Sequence, residues 1–512
     1  MFYQFRRVLK YPLNSIGSHL SKYSTKVVEN TSSICDQQRI IQTSFGQPTY
    51  QTHPHLIKKG EIIPGIQLEE FKTRRSKLME QILLNDKLTH IVIIPSSTTL
   101  YMTEKIPYVY RQNSDFLYFT GCQEPDSCLI ITGNCDNFTS TLFMRNKDPK
   151  SELWNGTRTG VDAAVSLFGV DDALPVDDFE KFLTSFINEN RNNLIWYNTE
   201  DIVQPELDEK LRRSLKIIDN KLFHCPKTMF HQLRLIKSKA EINLMQKSCD
   251  IASLAISKAI NLSKPGISEH ELFAIVDYES RMNGAEFLAY PPVVAGGKNA
   301  CTIHYITNNQ IVKDGDMILM DAGCEYHGYS SDITRTWPVN GTFSPQQRIL
   351  YEIILETQKE MILKLNNMPS LEKLFREMCL FLGKRLQEIG LVPKNFGGDK
   401  LIAAGYTYCP HHVSHYLGMD VHDTAKISRN IKVQPGMIVT VEPGIYVSPK
   451  NQFALPEFYN LGIRIEDDVL IQEEGTLVLT RNCPKEIKEI ENFAKQNQSI
   501  KEKEKEKIKR RL

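Results

Sequence analysis

The feature that most constrains the fold of this chain is a set of acidic residues at the ends of predicted strands in its second half. An acidic residue follows each of the strand-like runs 317–320, 439–441 and 463–465, and another comes eleven positions after the first. Burying a carboxylate is costly unless it is paired or bound to a metal ion. The fold is therefore expected to gather these residues around positive charge. The four residues are Asp321, Asp332, Glu442 and Glu466.

A histidine-rich segment lies between the two acidic pairs. It places His411, His412 and His415 within five residues, and His422 follows shortly after. Two Asp, two Glu and one His form an oxygen-rich donor set, which suits hard or borderline divalent ions, so that Mn²⁺ fits better than a thiolate zinc site. Two such ions about 3.5–4 Å apart can clamp a tetrahedral intermediate, and the set therefore indicates a hydrolase.

The periodicity of apolar residues divides the chain into two folded regions. Residues 61–230 alternate helical and strand patterns and are predicted to form an α/β domain. Residues 231–490 begin with a long helix, in which Ser238 and Glu241 form a capping pair, and strands predominate afterwards. This second region is predicted to be an α+β domain with antiparallel sheet. The clearest strands of the first region are predicted at 90–95, 129–132 and 193–197.

The two ends of the chain differ from its folded regions. Residues 1–28 carry five basic residues and no acidic one, with apolar residues at roughly helical spacing. A basic, amphipathic, acid-free start is typical of a mitochondrial transit peptide. Residues 29–60 are predicted to be a linker, and residues 491–512 a solvated charged tail.

Overall composition excludes several classes of protein. The 62 basic and 61 acidic residues nearly balance, which argues against a nucleic-acid-binding surface over the whole molecule. No apolar run approaches the roughly 18 residues that a membrane span needs. The eleven cysteines are odd in number and include no CxxC pair, so reduced thiols are expected rather than a disulfide framework.

The order of the candidate ligands and the residues around them resemble the pita-bread metallopeptidases of family M24, and among these aminopeptidase P. The first region resembles that family's creatinase-like N-terminal domain at 110–118, 121–126 and 154–158. Residues 46–49 and 52–56 are similar to the mitochondrial type-3 group, which includes the intermediate-cleaving peptidases. In the second region the resemblance is carried by 299–305, 321–323, 331–338, 414–418, 420–423, 441–446 and 462–468.

The resemblance implies a creatinase-like α/β N-terminal domain followed by a pita-bread α+β catalytic domain. It implies a metalloaminopeptidase that removes the N-terminal residue from peptides and proteins and prefers proline in the second position. Two divalent metal ions, expected to be Mn²⁺, would supply the attacking hydroxide. The enzyme is expected to be mitochondrial, to form a homodimer or higher homo-oligomer, and to bind peptide or protein N-termini but no nucleic acid.

The resemblance also assigns roles to single residues. Besides Glu442, the catalytic residues would be His304, His422 and Arg464, and the pocket for proline would be formed by His411 and Tyr446. The five metal ligands would be Asp321, Asp332, His415, Glu442 and Glu466.

Several alternatives remain open from the sequence alone. The enzyme could trim one bulky residue from imported proteins without requiring proline, it could be a prolidase restricted to dipeptides, or it could be a binding module with lost chemistry. At the residue level, Tyr446 could be ordinary core and Arg464 could pair only with Asp467 or Asp468. His412 is expected to be structural, and Asp115 of a neighbouring subunit is a candidate to bind the substrate's α-amine.

Overall fold

The computed structural model describes residues 44–83, 88–134, 137–190, 193–215 and 223–493. The predicted transit peptide, part of the predicted linker and nearly all of the predicted tail lie outside these residues.

The first region is built on a six-stranded mixed sheet. The strands of this region are β1 (Glu61–Ile63), β2 (Ile66–Gln67), β3 (Thr89–Pro95), β4 (Tyr101–Thr103), β5 (Ile106–Pro107), β6 (Cys128–Gly133), β7 (Phe138–Met144), β8 (Asp172–Pro175), β9 (Asn193–Trp196) and β10 (Phe223–His224). Strands β1 and β2 form a separate two-stranded sheet, and so do β4 and β5. The sheet order is β10-β9-β3-β6-β7-β8. Strand β3 pairs parallel with β9 and antiparallel with β6. The three strands predicted most clearly correspond to β3, β6 and β9, and these predictions are confirmed.

Helices cover this sheet and lead into the second region. They are α1 (Leu68–Leu83), α2 (Ser114–Thr120), α3 (Pro149–Asn155), α4 (Val161–Phe168), α5 (Phe179–Glu189), α6 (Pro205–Leu215) and α7 (Lys227–Leu235). The boundary predicted between residues 230 and 231 lies inside α7. One hydrophobic cluster also spans the boundary, since it contains Phe71 and Phe116 of the first region together with Met245 and Leu417 of the second. The two regions therefore share part of their core.

The second region combines long helices with small antiparallel sheets. Its helices are α8 (Lys239–Leu262), α9 (Glu269–Met282), α10 (Pro345–Leu365), α11 (Leu371–Glu388) and α12 (Asp399–Tyr408). Its strands are β11 (Phe287–Leu288), β12 (Val293–Gly296), β13 (Met317–Ala322), β14 (Cys324–Tyr326), β15 (Tyr329–Ser330), β16 (Ile333–Pro338), β17 (Ile438–Val441), β18 (Gly444–Tyr446), β19 (Gly462–Arg464), β20 (Asp467–Ile471) and β21 (Thr476–Val478). Every pairing among these described strands is antiparallel, as predicted.

The start of α8 follows from local sequence. The Ser238 hydroxyl accepts a hydrogen bond from the Glu241 amide at 3.2 Å, and the Glu241 carboxylate accepts one from the Ser238 amide at 2.8 Å. This capping box satisfies two donors that the first turn of a helix otherwise leaves open. The predicted capping pair is confirmed.

The strand-like run at 463–465 ends before Glu466, and a second strand begins just after it. Strand β19 ends at Arg464 and pairs with β18, whereas β20 begins at Asp467 and pairs with β17. The chain thus changes partner between the two strands. Glu466 lies at this change, where its backbone is released from ladder pairing and its amide bonds instead to the Thr334 carbonyl at 3.0 Å.

The described residues can be compared with the expectations for membrane spans and for cysteines. None of the helices in this part of the chain has the length and apolarity needed to cross a bilayer. The nine cysteines that the structure describes are all free thiols, which agrees with the expectation of reduced cysteines; Cys35 and Cys135 lie outside the described residues.

Candidate active site

A cavity of about 250 Å³, lined mainly by histidine and charged residues, lies where the strand ends of the second region meet. All five predicted metal ligands line it, and so do the predicted catalytic and substrate-binding histidines. The lining residues are Ile303, His304, Asp321, Asp332, His411, His412, Ser414, His415, His422, Arg429, Glu442, Arg464 and Glu466. Of the predicted site residues, Tyr446 is not in this lining and lies behind His411.

The register of neighbouring strands places the two aspartates. Asp321 on β13 pairs across the sheet with Thr334 on β16, and Asp332 lies directly before β16. The Tyr290 hydroxyl lies 2.6 Å from Asp321 Oδ1 and 2.5 Å from Asp332 Oδ1. A single hydroxyl proton can be donated to only one of them at a time. The two carboxylates are therefore held close together with one shared donor.

Backbone hydrogen bonds bring the remaining predicted ligands to the same cavity. The Glu442 amide donates to the Val413 carbonyl at 2.9 Å, and the Thr440 amide donates to the His415 carbonyl at 3.0 Å. The segment that carries His415 is thereby attached alongside β17. The Glu466 carboxylate accepts from the Thr334 hydroxyl at 2.6 Å, which orients it toward the aspartates.

Three of the predicted ligands meet a geometric requirement for a metal ion. One ligand atom each of Asp332, His415 and Glu466 lies within 4.8 Å of the others. His415 Nε2 is 3.3 Å from Asp332 Oδ2 and 3.7 Å from Glu442 Oε1. His415 Nδ1 lies 3.1 Å from the Tyr416 carbonyl oxygen. Since a carbonyl only accepts, Nδ1 donates this bond, and Nε2 is the nitrogen available as a ligand.

The electrostatics of the cavity favour added positive charge. Burial raises the pKa of Glu442 to about 7, against the charges of His415 and Arg464. Burial also raises the pKa of Asp321, and burial together with the neighbouring carboxylates raises the pKa of Glu466 well above its usual range. Ionising all of these groups together is thus unfavourable in the protein alone. Bound divalent cations would relieve this repulsion, and the oxygen-rich donor set fits them.

The excess of negative charge in the cavity also shifts the pKa of His415. Burial alone would lower its pKa, but the hydrogen bond to Asp332 and the charge of Glu442 raise it to about 9. A metal ion binds only the neutral imidazole, so that metal binding at this position displaces a proton.

A chain of hydrogen bonds runs from the cavity floor to the predicted proline pocket. Arg464 donates to Asp321 Oδ2 at 2.6 Å and to the Tyr446 hydroxyl at 2.7 Å. The Tyr446 hydroxyl lies 3.0 Å from His411 Nε2, and His411 Nδ1 lies 3.0 Å from the His412 carbonyl. Arg464 therefore contacts the site itself, and pairing with Asp467 or Asp468 is not its role, because Asp467 is paired with Arg335.

These hydrogen bonds determine the tautomer and the charge of His411. Its Nδ1 donates to a carbonyl and its Nε2 accepts from Tyr446, which leaves no ring nitrogen free. Burial and the charge of Arg464 lower its pKa to about 3. At neutral pH the ring is therefore uncharged, and both of its nitrogens already have hydrogen-bond partners within the protein.

The other three histidines of the cavity occupy different positions. His422 is exposed, and its ring centroid is 4.5 Å from that of His415. His304 is also exposed, on the loop that follows β12. His412 stacks on Phe375 with ring centroids 4.7 Å apart, as expected of a structural residue.

Asp115 is bound within its own chain. It is 3 % exposed, and its carboxylate contacts Lys227 at 2.7 Å and Arg234 at 2.6 Å. Its side chain is therefore not available to a neighbouring subunit, and the predicted role in binding the substrate's α-amine is corrected. Arg234 also donates to Asp420 at 2.7 Å and to Asp423, the two acids that flank His422.

Sequence reasoning missed Tyr290, Thr334 and Arg234. None stands in a recognisable ligand motif, and the partners of each lie far away in sequence. Tyr290 bonds to residues 31 and 42 positions later, and Thr334 to one 132 positions later. Arg234 bonds to the two acids near His422, 186 and 189 positions later. Only strand register and domain packing bring these side chains to their partners.

Two protein-family models match this chain, one in each of its two regions. Residues 243–473 match the model of metallopeptidase family M24, and residues 71–196 match that of the aminopeptidase P N-terminal domain. Human Xaa-Pro aminopeptidase 3 is 40 % identical over 477 residues, which cover 90 % of this chain and 92 % of the relative. The mitochondrial intermediate cleaving peptidase 55 of Arabidopsis thaliana is 40 % identical over 452 residues, covering 88 % of this chain and 87 % of the relative. Among solved structures, the aminopeptidase PepP of Pseudomonas aeruginosa matches with a TM-score of 0.77 at 34 % identity, covering 85 % of this chain and 99 % of that one.

Proposed function

The chain belongs to metallopeptidase family M24, as a metal-dependent aminopeptidase of the aminopeptidase P group, and on that premise we propose that it removes N-terminal residues that precede proline. The observation that carries this proposal is the state of His411. Both its ring nitrogens are engaged, and the uncharged ring lies beside Glu442, with 3.7 Å between Nδ1 and Glu442 Oε2. An uncharged ring whose nitrogens already have partners suits a pyrrolidine ring, which brings no amide N–H that would need an acceptor.

In the proposed chemistry five residues bind the metal ions, and one of them also transfers the proton. Asp321, Asp332, His415, Glu442 and Glu466 would hold two divalent cations, for which Mn²⁺ suits the oxygen-rich set. Bound there, the cations would supply Lewis-acid activation of the scissile carbonyl and of a water molecule.

The remaining steps belong to side chains of this chain. Glu442 would accept the proton of the attacking water and deliver it to the leaving nitrogen, and the rise of its pKa toward neutrality suits it to both transfers. His304 and His422, both exposed at the cavity, would donate hydrogen bonds to the substrate carbonyl and to the developing oxyanion. Arg464 would hold Asp321 and Tyr446 in place, and through Tyr446 the ring of His411.

A panel of peptides that differ in the second residue tests the proline preference. We expect kcat/KM for Xaa-Pro peptides to exceed that for Xaa-Ala peptides at least tenfold, because one well-fitted apolar group contributes about 1–3 kcal/mol to discrimination. His411→Ala should shrink this ratio mainly by lowering turnover of the proline peptides. The matched control is His270→Ala, an exchange in α9 at a position that does not line the cavity. Equal turnover of both peptide series by the unaltered enzyme would rule out the preference.

A second candidate function is the trimming of one bulky residue from imported proteins without a proline requirement. It is favoured by the relative from Arabidopsis thaliana, which is named a mitochondrial intermediate cleaving peptidase and is 40 % identical. Peptides that begin Tyr-Ser or Leu-Ser, included in the same panel, discriminate the two functions. Their turnover at the rate of Xaa-Pro peptides would favour this second function.

We also propose that the enzyme acts in mitochondria. The basic, acid-free start of the chain and the name of the Arabidopsis thaliana relative support this location.

An exposed apolar hairpin supports the proposal that the enzyme is a homodimer. Strands β4 and β5 and their flanks expose Leu100 at 68 %, Tyr101 at 56 % and Val109 at 71 %. Contiguous apolar surface of this kind is typical of a protein contact, and a second copy would cover it with the same surface.

Charge placed on this hairpin should disrupt the dimer. We expect the double variant Tyr101→Glu and Val109→Glu to elute as a monomer in size-exclusion chromatography with light scattering, because each buried carboxylate would oppose association. Tyr278→Glu with Met282→Glu is the control, since these residues of α9 are exposed at 60 % and 65 % and lie outside the hairpin. A monomeric unaltered protein, or a hairpin variant that remains a dimer, would contradict the proposal.

A further inference from the structure

Glu269, the first residue of α9, has a carboxylate that is completely buried. No salt bridge within the described residues compensates its charge. Instead it accepts four hydrogen bonds. Oε1 accepts from the Gly296 amide at 2.8 Å and from Asn299 Nδ2 at 2.9 Å. Oε2 accepts from the Tyr305 hydroxyl at 2.9 Å and from the Gln310 amide at 2.8 Å.

All four donors belong to one segment, residues 296–310. Gly296 ends β12 and Gln310 closes the loop that follows, so the carboxylate connects both ends of the segment. A backbone bond from the Glu269 amide to the Gln310 carbonyl at 2.9 Å strengthens the same attachment. The segment is thus folded around a single buried side chain that is not part of it.

His304 lies in the middle of this segment, one residue from Tyr305. Its side chain is exposed to the cavity, and no described residue forms a hydrogen bond with its ring. The position of the imidazole therefore depends on the path of the loop backbone, which the bonds to Glu269 define on both sides.

We propose that Glu269 is a positioning residue, which holds the loop so that His304 faces the metal-binding cavity in the orientation used for substrate. This inference rests on the proposed role of His304. Glu269 itself touches neither the metal ligands nor the cavity.

A carboxylate is required at this position because every partner is a donor. An ionised Glu offers only acceptors, and its hydrogen bonds are shorter and stronger than neutral ones. Gln has the same shape but presents an NH₂ group on one side. Whichever way it turns, that group faces the backbone amide of either Gly296 or Gln310, and neither amide can reverse its role. One end of the loop is then released.

The test is a double-mutant cycle between Glu269→Gln and His304→Ala. We expect Glu269→Gln alone to lower kcat/KM for an Xaa-Pro peptide about ten- to a hundredfold with unchanged metal content. In the His304→Ala background the same exchange should have almost no further effect, since two residues that act through one contact are not additive. Glu271→Gln is the matched control. It changes the same residue type in the same helical turn, and among the described residues the Glu271 carboxylate accepts hydrogen bonds only from Ser268.

Two further measurements apply where one of these variants folds poorly or turns over too slowly. Tyr305→Phe removes one donor and leaves the carboxylate intact, so it should lower kcat/KM severalfold even where Glu269→Gln folds poorly. Where His304→Ala turns over too slowly, calorimetric binding of a peptide that begins with proline provides the same cycle.

The outcomes separate this inference from the proposed function. Equal losses from Glu269→Gln in both backgrounds, or no loss at all, would overturn the positioning role and leave the role of His304 intact. Full activity of His304→Ala would instead overturn the role of His304 and this inference with it, while metal-dependent cleavage would stand.

Discussion

Replacing Glu442 with Gln is expected to lower kcat/KM by about 10³-fold or more. General acid–base catalysis by a positioned side chain contributes about 10²–10⁴-fold, and this residue is also a proposed metal ligand. Glutamine keeps the shape of the side chain but can neither accept the proton of water at neutral pH nor return it to the leaving nitrogen. The measurement is steady-state hydrolysis of an Xaa-Pro peptide by metal-loaded protein.

The control for this variant is Glu474→Gln, an exposed position in the turn before β21. It should retain full activity. Metal content measured on the same samples separates loss of proton transfer from loss of metal: a variant that keeps both ions and is inactive supports the proton role. A variant with both ions and near-normal turnover would eliminate Glu442 as the proton-transfer residue.

Removal of metal is expected to abolish activity and to destabilise the protein. A ligand that binds only the folded state at a hundred times its Kd stabilises that state by about 2.7 kcal/mol. Since the entropy of unfolding is about 2.1 cal/mol/K per residue, such a change corresponds to a fall in Tm of about 2–3 °C for a chain of 512 residues. Dialysis against a chelator followed by calorimetry measures the fall, and added Mn²⁺ should restore both Tm and turnover, whereas added Ca²⁺ should restore neither turnover nor specificity.

The difference in stability between the metal-bound and the metal-free protein should grow as pH rises. In the metal-free protein the pKa of Glu442 is raised from 4.5 to about 7. A raised carboxyl pKa favours the folded state at low pH, and that contribution is lost as pH rises from about 4.5 through 7. The pKa of His415 is raised from 6.5 to about 9, so its contribution to the stability of the folded state is lost as pH rises from 6.5 through 9. Both groups are already deprotonated when metal is bound. A Tm difference that stays constant from pH 5 to 8 would contradict this account.

Local sequence determined the features that depend on neighbouring residues. The capping of α8 needs only Ser238 and Glu241, and the strands β3 and β13 needed only uninterrupted apolar runs. The candidate metal ligands could be recognised from the sequence for the same reason. Each lies at or beside the end of a strand or in a short histidine-rich segment, and their order along the chain matches a known family.

Tertiary structure alone decided which distant side chains support those ligands. Tyr290 reaches Asp321 and Asp332 through strand register, and Asp115 is paired inward because packing of the first region against α7 places Arg234 beside it. Glu269 has the sequence position of an ordinary helix-start acid, yet its partners lie 27 to 41 residues away. Hydrogen bonds and ion pairs of this kind depend on how separate elements are brought together, and no periodicity within a short stretch of sequence records that arrangement.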